Sequence, residues 1–317
     1  MEKLRLALLS GGISSEREVS LNSGQQVFEA LDKQKYDILR YDPKTDLSRL
    51  VADAPDIDVA LIILHGPFGE DGTVQGLLDL LDIPYQGAGV LGSAVAMDKL
   101  VSKELYEAAG IPVPPYVALS KGERVDSAQI VSRLGLPMVV KPSAAGSSVG
   151  MSIVREGDAL PTALNKAFEH DNTVLAEAYI RGTELTGGVI GNRELEALPL
   201  IEIIPGKDHE FFDYEAKYTA GATEEICPAR VDDVVTEKAQ NLAVMAHRAL
   251  RCSGYSRTDM IWREQELYVL ETNTIPGMTA TSLFPQAAKA AGYDFTALLD
   301  RLIELGIKEH QRKKALR

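Results

Sequence analysis

The sequence predicts an α/β protein that opens with a small parallel-sheet layer domain. Residues 4–9 (LRLALL) read as a buried strand running into a Gly-Gly turn. Strand-like and helix-periodic segments then alternate for about 95 residues. Residues 58–64 (DVALIIL) are continuously apolar, as in a parallel strand covered on both faces.

Each element follows from local pattern. Residues 17–31 carry a helical apolar period at Val19, Val27, Ala30 and Leu31, and 36–41 read as a second strand. Residues 73–81 and 93–109 read as helices. A Pro-rich passage, Gly110-Ile-Pro-Val-Pro-Pro115, marks entry into a second unit. There, strands are predicted at 137–141, 151–154 and 173–178, with a helix at 158–169. The third unit has strands at 184–191 and 196–203, a polar loop at 205–225 and a helix at 232–250. Strands at 255–262 and 267–272 and helices at 281–291 and 295–306 complete it. The resulting division is 1–95, 96–181 and 182–317.

Composition narrows the function. The 317 residues are 45% hydrophobic and 25% charged, which excludes disorder and a disulfide-stapled mini-protein. A net charge of −13 repels phosphate backbones and anionic lipid, so neither nucleic acid nor membrane is expected as a partner. The basic tail (Lys308, Arg312, Lys313, Lys314, Arg317) reads as a solvated helix end. The two cysteines, Cys227 and Cys252, form no metal-binding or redox spacing and suit a reducing compartment. The first residues are too short for a signal peptide's apolar core, and no apolar run would span a bilayer. The expected location is the cytoplasm.

Five constellations carry candidate chemistry. Lys141-Pro-Ser-Ala-Ala-Gly-Ser-Ser-Val-Gly150 is a Gly/Ser loop with Lys141 at a strand end. It reads as a phosphate cradle or as a hairpin without a ligand. In strands, residues two apart share a face, so Arg257 projects with Asp259, and Glu271 with Asn273. If those strands are antiparallel neighbours, Asp259, Glu271 and Asn273 form an oxygen cluster suited to Mg²⁺. Arg257 would fit that metal shell poorly, and the alternative is a charge ladder on a solvated hairpin face. Glu16 and His65 both follow strand ends, the edge where open α/β sheets bind ligands. Glu16 equally reads as a first-turn carboxylate favoured by a helix dipole. Asp213-Tyr-Glu-Ala-Lys-Tyr218 reads as a lid or a packed surface loop. Pro276-Gly277 and the following Thr/Ser cluster read as a turn into a helix N-terminus, either an anion site or ordinary capping.

Taken together, these segments resemble the D-alanine–D-alanine ligases of the ATP-grasp superfamily. The strings are Gly11-Gly-Ile-Ser-Ser-Glu-Arg-Glu-Val-Ser20, Leu64-His-Gly66 with Gly69-Glu-Asp-Gly72, and Met97-Asp-Lys99. They continue through Gly146-Ser-Ser-Val-Gly-Met151, Tyr214-Glu-Ala-Lys-Tyr218, Arg257-Thr-Asp259 and Glu271-Thr-Asn-Thr-Ile-Pro-Gly-Met278 with Ser282-Leu283. They run in order over nearly the whole chain. The resemblance implies an ATP-grasp fold, α+β in its ATP-binding lobes, preceded by the small α/β domain. It implies ATP-dependent joining of two D-alanines through a D-alanyl phosphate, in peptidoglycan precursor synthesis. The alternative is another ATP-grasp carboxylate–amine ligase, such as the D-alanine–D-lactate type.

By the same resemblance, Lys99, Lys141, Ser147, Ser148 and Lys217 would serve the ATP phosphates. Glu177, Tyr179 and Ile180 would hold the adenine and Glu184 the ribose. Relatives often carry Lys where this chain has Ala178, so a side-chain contribution is missing there. Asp259, Glu271 and Asn273 would hold two Mg²⁺ ions, with Mn²⁺ as a substitute. Glu16 and His65 would attend the first D-alanine, Ser282 and Leu283 the second. Arg257 and the Gly277 amide would stabilise the oxyanion, and Ser147 would tie Tyr218 of the lid to Glu16. A homodimer through the first unit is also implied. Tyr218 fits the dipeptide product rather than the depsipeptide.

Overall fold

The computed structural model describes residues 3–146, 149–206 and 223–316. The first sheet is parallel, ordered β2-β1-β3, with β1 Leu4–Ser10, β2 Tyr36–Tyr41 and β3 Val59–Ile63. Between β1 and β2 runs α1 (Arg17–Ala30), and α2 (Leu47–Asp53) precedes β3. Next come α3 (Thr73–Leu80), α4 (Gly89–Met97) and α5 (Lys99–Ala108). Every residue of β3 is buried, as its unbroken apolar run requires.

The helix expected at 93–109 is two helices. Asp98 is in an extended conformation (φ −89°, ψ 107°) and ends α4. Its carboxylate accepts from the Leu100 and Val101 amides and so caps α5. The apolar period continues across this joint, which is why periodicity alone merged the two.

The second sheet is antiparallel, ordered β4-β7-β5-β6. Its strands are β4 Tyr116–Ser120, β5 Met138–Pro142, β6 Ser152–Val154 and β7 Thr173–Ala178. It is backed by α6 (Ser127–Leu134) and α7 (Leu160–Phe168). Neither β4 nor α6 was anticipated, and α2 also escaped the pattern reading. All three are short, and β4 buries only Leu119.

The third sheet runs β11-β10-β8-β12-β13, with β9 beside β8. The strands are β8 Thr183–Gly191, β9 Glu196–Ala197, β10 Ile201–Pro205, β11 Thr223–Ile226, β12 Gly254–Arg263 and β13 Glu266–Asn273. The single strand expected at 196–203 is thus split, at a stretch containing Pro199, which has no amide hydrogen for a ladder. Helix α8 (Asp233–Ala249) covers this sheet, and α9 (Leu283–Ala290) and α10 (Phe295–Lys314) close the chain.

One core cluster joins the first sheet to the last helices. Leu6, Leu8 and Leu61 pack in it with Phe284, Leu299 and Leu302. Tyr255 and Phe284 meet edge to face at 5.3 Å between centroids. The basic tail is a helix end, as expected, but not simply a solvated one. Lys314 and His310 pair with Asp82, and the Lys313 ammonium lies 5.7 Å from the Tyr85 ring centre. These contacts fasten α10 to the first unit. Among the described residues, no helix is long and apolar enough to cross a membrane.

Candidate active site

A cleft of about 1820 Å³ opens where the three sheets meet. It is lined from the first unit by Glu16 and His65, and from the second by Lys141, Glu177, Tyr179 and Ile180. Lys99 stands at the joint, and Glu184, Arg257, Asp259, Glu271, Asn273, Gly277, Ser282 and Leu283 line the opposite wall. Ser147, Ser148, Lys217 and Tyr218 lie outside the described residues.

Glu16 occupies the N-cap position of α1, yet its side chain caps no helix amide. It is buried at 6% exposure. Its Oε2 lies so close to Gly66 and Gly146 that a Cβ at either would stand 2.8 or 3.0 Å from it. Gly66, at φ +71°, and Gly146 therefore let two backbones close on one carboxylate. The Gly/Ser loop thus reaches the first unit through Gly146. His65 is buried alongside, and its Nε2 has no hydrogen-bond partner among the described residues. Burial pulls the His65 pKa down, while the Glu16 charge and the Ile275 backbone work against that shift.

Glu70, within the Gly69–Gly72 motif, completes this corner. The Gly66 amide donates to its Oε2 at 2.7 Å. Burial first, then the Glu16 charge, push its carboxyl up to about 8. A lone Glu in a Gly-rich turn carries no sequence signal for this; the signal is its proximity to a second carboxylate.

The lysine corner is stitched to α5. The Lys99 amide donates to Ser143 O at 3.0 Å, and the Ser143 hydroxyl donates to Asp98 at 2.6 Å. The Lys99 ammonium donates to Ala145 O at 2.7 Å and lies 3.7 Å from Glu271. Lys141 Nζ lies 3.0 Å from Glu177 Oε2. The other oxygen of Glu177 faces Lys103 at 3.2 Å, a residue the sequence reading passed over. Its signal is a lysine one turn after Lys99, on the same helix stripe as the buried Tyr106. At the end of β7, the Ala178 and Tyr179 amides are already bonded, to Pro115 O and Pro137 O.

β12 and β13 are antiparallel neighbours, pairing Arg257 with Asn273 and Asp259 with Glu271. The oxygen groups do share a face. Arg257, however, does not stand apart from them. Its Nε and Nη2 fork onto Asp259 at 2.9 and 2.8 Å. Asp259 also accepts from Thr186 Oγ1 at 2.6 Å and Asn273 Nδ2 at 3.1 Å. Among the described residues, no three His, Cys, Asp or Glu side chains cluster as a metal site, because the third group here is an amide.

The Thr/Ser cluster is hydrogen-bonded within itself, and its side chains do not cap the helix that follows. Ser282 is the N-cap of α9: its carbonyl accepts from the Gln286 amide at 3.0 Å, while its hydroxyl caps no helix amide and accepts from the Thr279 amide at 3.1 Å. Leu283, while lining the cleft, is 4% exposed and belongs to the core that joins the first unit to α9 and α10.

Two antiparallel sheets closing over one elongated cleft, behind a parallel α/β unit, define an ATP-grasp fold. Comparison with known proteins gives the family. Residues 40–88 match the model of the D-ala D-ala ligase N-terminus, and 105–304 that of its C-terminus. The D-alanine–D-alanine ligase of Syntrophobacter fumaroxidans is 63% identical over 308 residues, 97% of this chain and 99% of that one. That of Desulfotalea psychrophila is 54% identical, covering 99% and 98%. The Bacillus anthracis enzyme, solved in complex with ATP, superposes with a TM-score of 0.86 at 37% identity, covering 98% and 99%. VanG, a D-Ala:D-Ser ligase from Enterococcus faecalis, reaches 0.82 at 34%, covering 96% and 99%. The chain belongs to the D-alanine–D-alanine ligase family.

Proposed function

We propose that this chain joins two D-alanines into D-alanyl-D-alanine, with conversion of ATP to ADP and phosphate, for peptidoglycan precursor synthesis. The carrying observation is the one cleft that gathers Glu16, Lys99, Lys141, Arg257 and the Asp259–Glu271–Asn273 set in a chain of this family. The carboxylate of the first D-alanine attacks the γ-phosphate, giving D-alanyl phosphate and ADP. The free amine of the second attacks the acyl carbon, and phosphate leaves.

Glu16, a buried carboxylate, pairs with the ammonium of the first D-alanine beside His65. Lys99 and Lys141 compensate phosphate charge during transfer. Arg257 and the Gly277 amide stabilise the oxyanion, about 3 kcal/mol for each donor. Ser282 and Leu283 flank the second D-alanine. Glu177, Tyr179 and Ile180 border the adenine and Glu184 the ribose. Ser147, Ser148, Lys217 and Tyr218 serve the phosphates and the lid in this reading. Ser147 is a positioning group, since no covalent protein intermediate is needed.

The oxygen-only donors Asp259, Glu271 and Asn273 suit a hard cation. They would hold two Mg²⁺, or Mn²⁺, which when bound supplies charge neutralisation at the transferring phosphate. Arg257 then exchanges its fork on Asp259 for the substrate. One sheet within each of 1–95, 96–181 and 182–317 supports the division into three units, with the first limit falling inside α4 and the second between β7 and β8. A homodimer through the first unit and action in the cytoplasm belong to the same proposal.

The test is ADP release from Mg-ATP with and without D-alanine, with D-lactate and D-serine offered as second substrates. D-alanine-dependent ADP release with dipeptide product is expected. Absence of that dependence refutes the assignment, and efficient depsipeptide formation near neutral pH reassigns the second subsite.

A further inference from the structure

Lys103 has no role in the chemistry above, yet among the described residues it is a fully buried cation beside the cleft. Its side chain is 0% exposed, one helical turn beyond Lys99, and unlike Lys99 it does not line the cleft. Its ammonium has one carboxylate, Glu177 Oε1 at 3.2 Å, and lies 5.5 Å from the Tyr116 ring centre. Glu177 is itself 3% exposed. Its second oxygen meets Lys141 at 3.0 Å. One buried carboxylate is therefore shared by two ammonium groups, and Lys141 lines the cleft while Lys103 does not.

The charge arithmetic decides what Lys103 is for. With it, the group of three carries a net charge of +1, and the surplus faces the cleft through Lys141. Without it, Lys141 and Glu177 cancel, and this pair presents no net charge to an incoming polyphosphate. Drawing Lys141 toward a phosphate would then strand a buried carboxylate, which is strongly unfavourable.

We propose that Lys103 is a positioning residue for phosphoryl transfer: from behind the cleft wall it neutralises Glu177 and so leaves Lys141 free to engage nucleotide phosphates. This rests on the reading that Lys141 serves those phosphates. Burial raises the Glu177 carboxyl, but the two lysines together outweigh it and hold the group below its ordinary value, which agrees with the arrangement. A purely structural ion pair tying α5 to β7 would instead affect stability, or every ligand alike.

The experiment is calorimetric titration of the full chain with adenosine, ADP and a non-hydrolysable ATP analogue in Mg²⁺ buffer. Wild type is compared with K103M, K141M and the double variant K103M/E177Q. In K103M, the affinity ratio of ADP and of the ATP analogue to adenosine falls about tenfold or more, the loss of one nearby unscreened charge. In K103M/E177Q, Lys141 has no carboxylate to satisfy, and the ratio returns to within about threefold of wild type. An unchanged ratio in K103M, or a double variant as impaired as K103M, overturns the proposal. If the ratio is unchanged in K141M as well, the phosphate reading of Lys141 falls with it; if K141M alone shows the drop, only the role of Lys103 falls. Should K103M fail to fold, the double variant decides, a ratio near wild type supporting the proposal and a tenfold drop overturning it.

Discussion

Replacing Glu70 with Gln removes one identifiable proton from the pH dependence of stability. The Glu70 carboxyl is raised from 4.5 to about 8, by burial and then by the charge of Glu16. The Gly66 amide, the Ile275 backbone and Arg257 oppose the shift without cancelling it. Between those two values the folded chain holds a proton that the unfolded chain has released. Stability from this acid is therefore present below the unfolded value and falls as pH rises toward 8. A difference of one proton is worth about 1.4 kcal/mol per pH unit.

Neighbouring titrations leave a usable window. His65 is lowered by burial, and His247 is lowered to about 4, so both favour folding as pH rises toward their unfolded value of 6.5. Lys103, lowered from 10.5 to about 8, favours folding with rising pH only above 8. Of these four groups, Glu70 alone acts between pH 6.5 and about 8. Over one pH unit inside that window, wild type should lose about 1.4 kcal/mol relative to E70Q, whose amide mimics the protonated acid. Urea midpoints of both ligand-free proteins across the window measure the difference. Two parallel curves would show that Glu70 is ionised in the fold, and the account of this corner would be wrong.

Two further substitutions test the packing around the site. Gly66→Ala places a Cβ 2.8 Å from Glu16 Oε2 on a backbone at φ +71°. It should cost about 1–2 kcal/mol in a thermal melt and raise KM for the first D-alanine, because Glu16 must move; an unchanged KM would separate Glu16 from that substrate. Tyr106→Phe removes the buried hydroxyl bond to Thr272 Oγ1 at 2.7 Å, behind the strand carrying Glu271 and Asn273. A loss of about 1 kcal/mol in denaturant midpoint is expected, and none would mean the bond adds nothing over the tyrosine ring.

Much of the architecture was readable from residue order, because its cues are local. The apolar run of β3 and the period-two spacing of Arg257 with Asp259 and of Glu271 with Asn273 need no knowledge of distant residues. The same locality explains the misses. Asp98 divides a helix by capping, which periodicity averages away. The short α2, β4 and α6 bury too few side chains to leave a pattern. Lys103 reads as an ordinary helix lysine until Glu177, on β7 of the second sheet, makes its burial tolerable. Glu70 needs Glu16 beside it before its proton becomes interesting.

By itself the residue order determined which groups exist and which face of each strand or helix they share, since backbone geometry repeats every two or 3.6 residues. The tertiary structure decided which groups confront one another. It set Glu16 against Gly146, brought Thr186 and Asn273 onto Asp259, and placed one carboxylate between two lysines. Electrostatic energy depends on separation and burial, and both are properties of the packed chain rather than of its order.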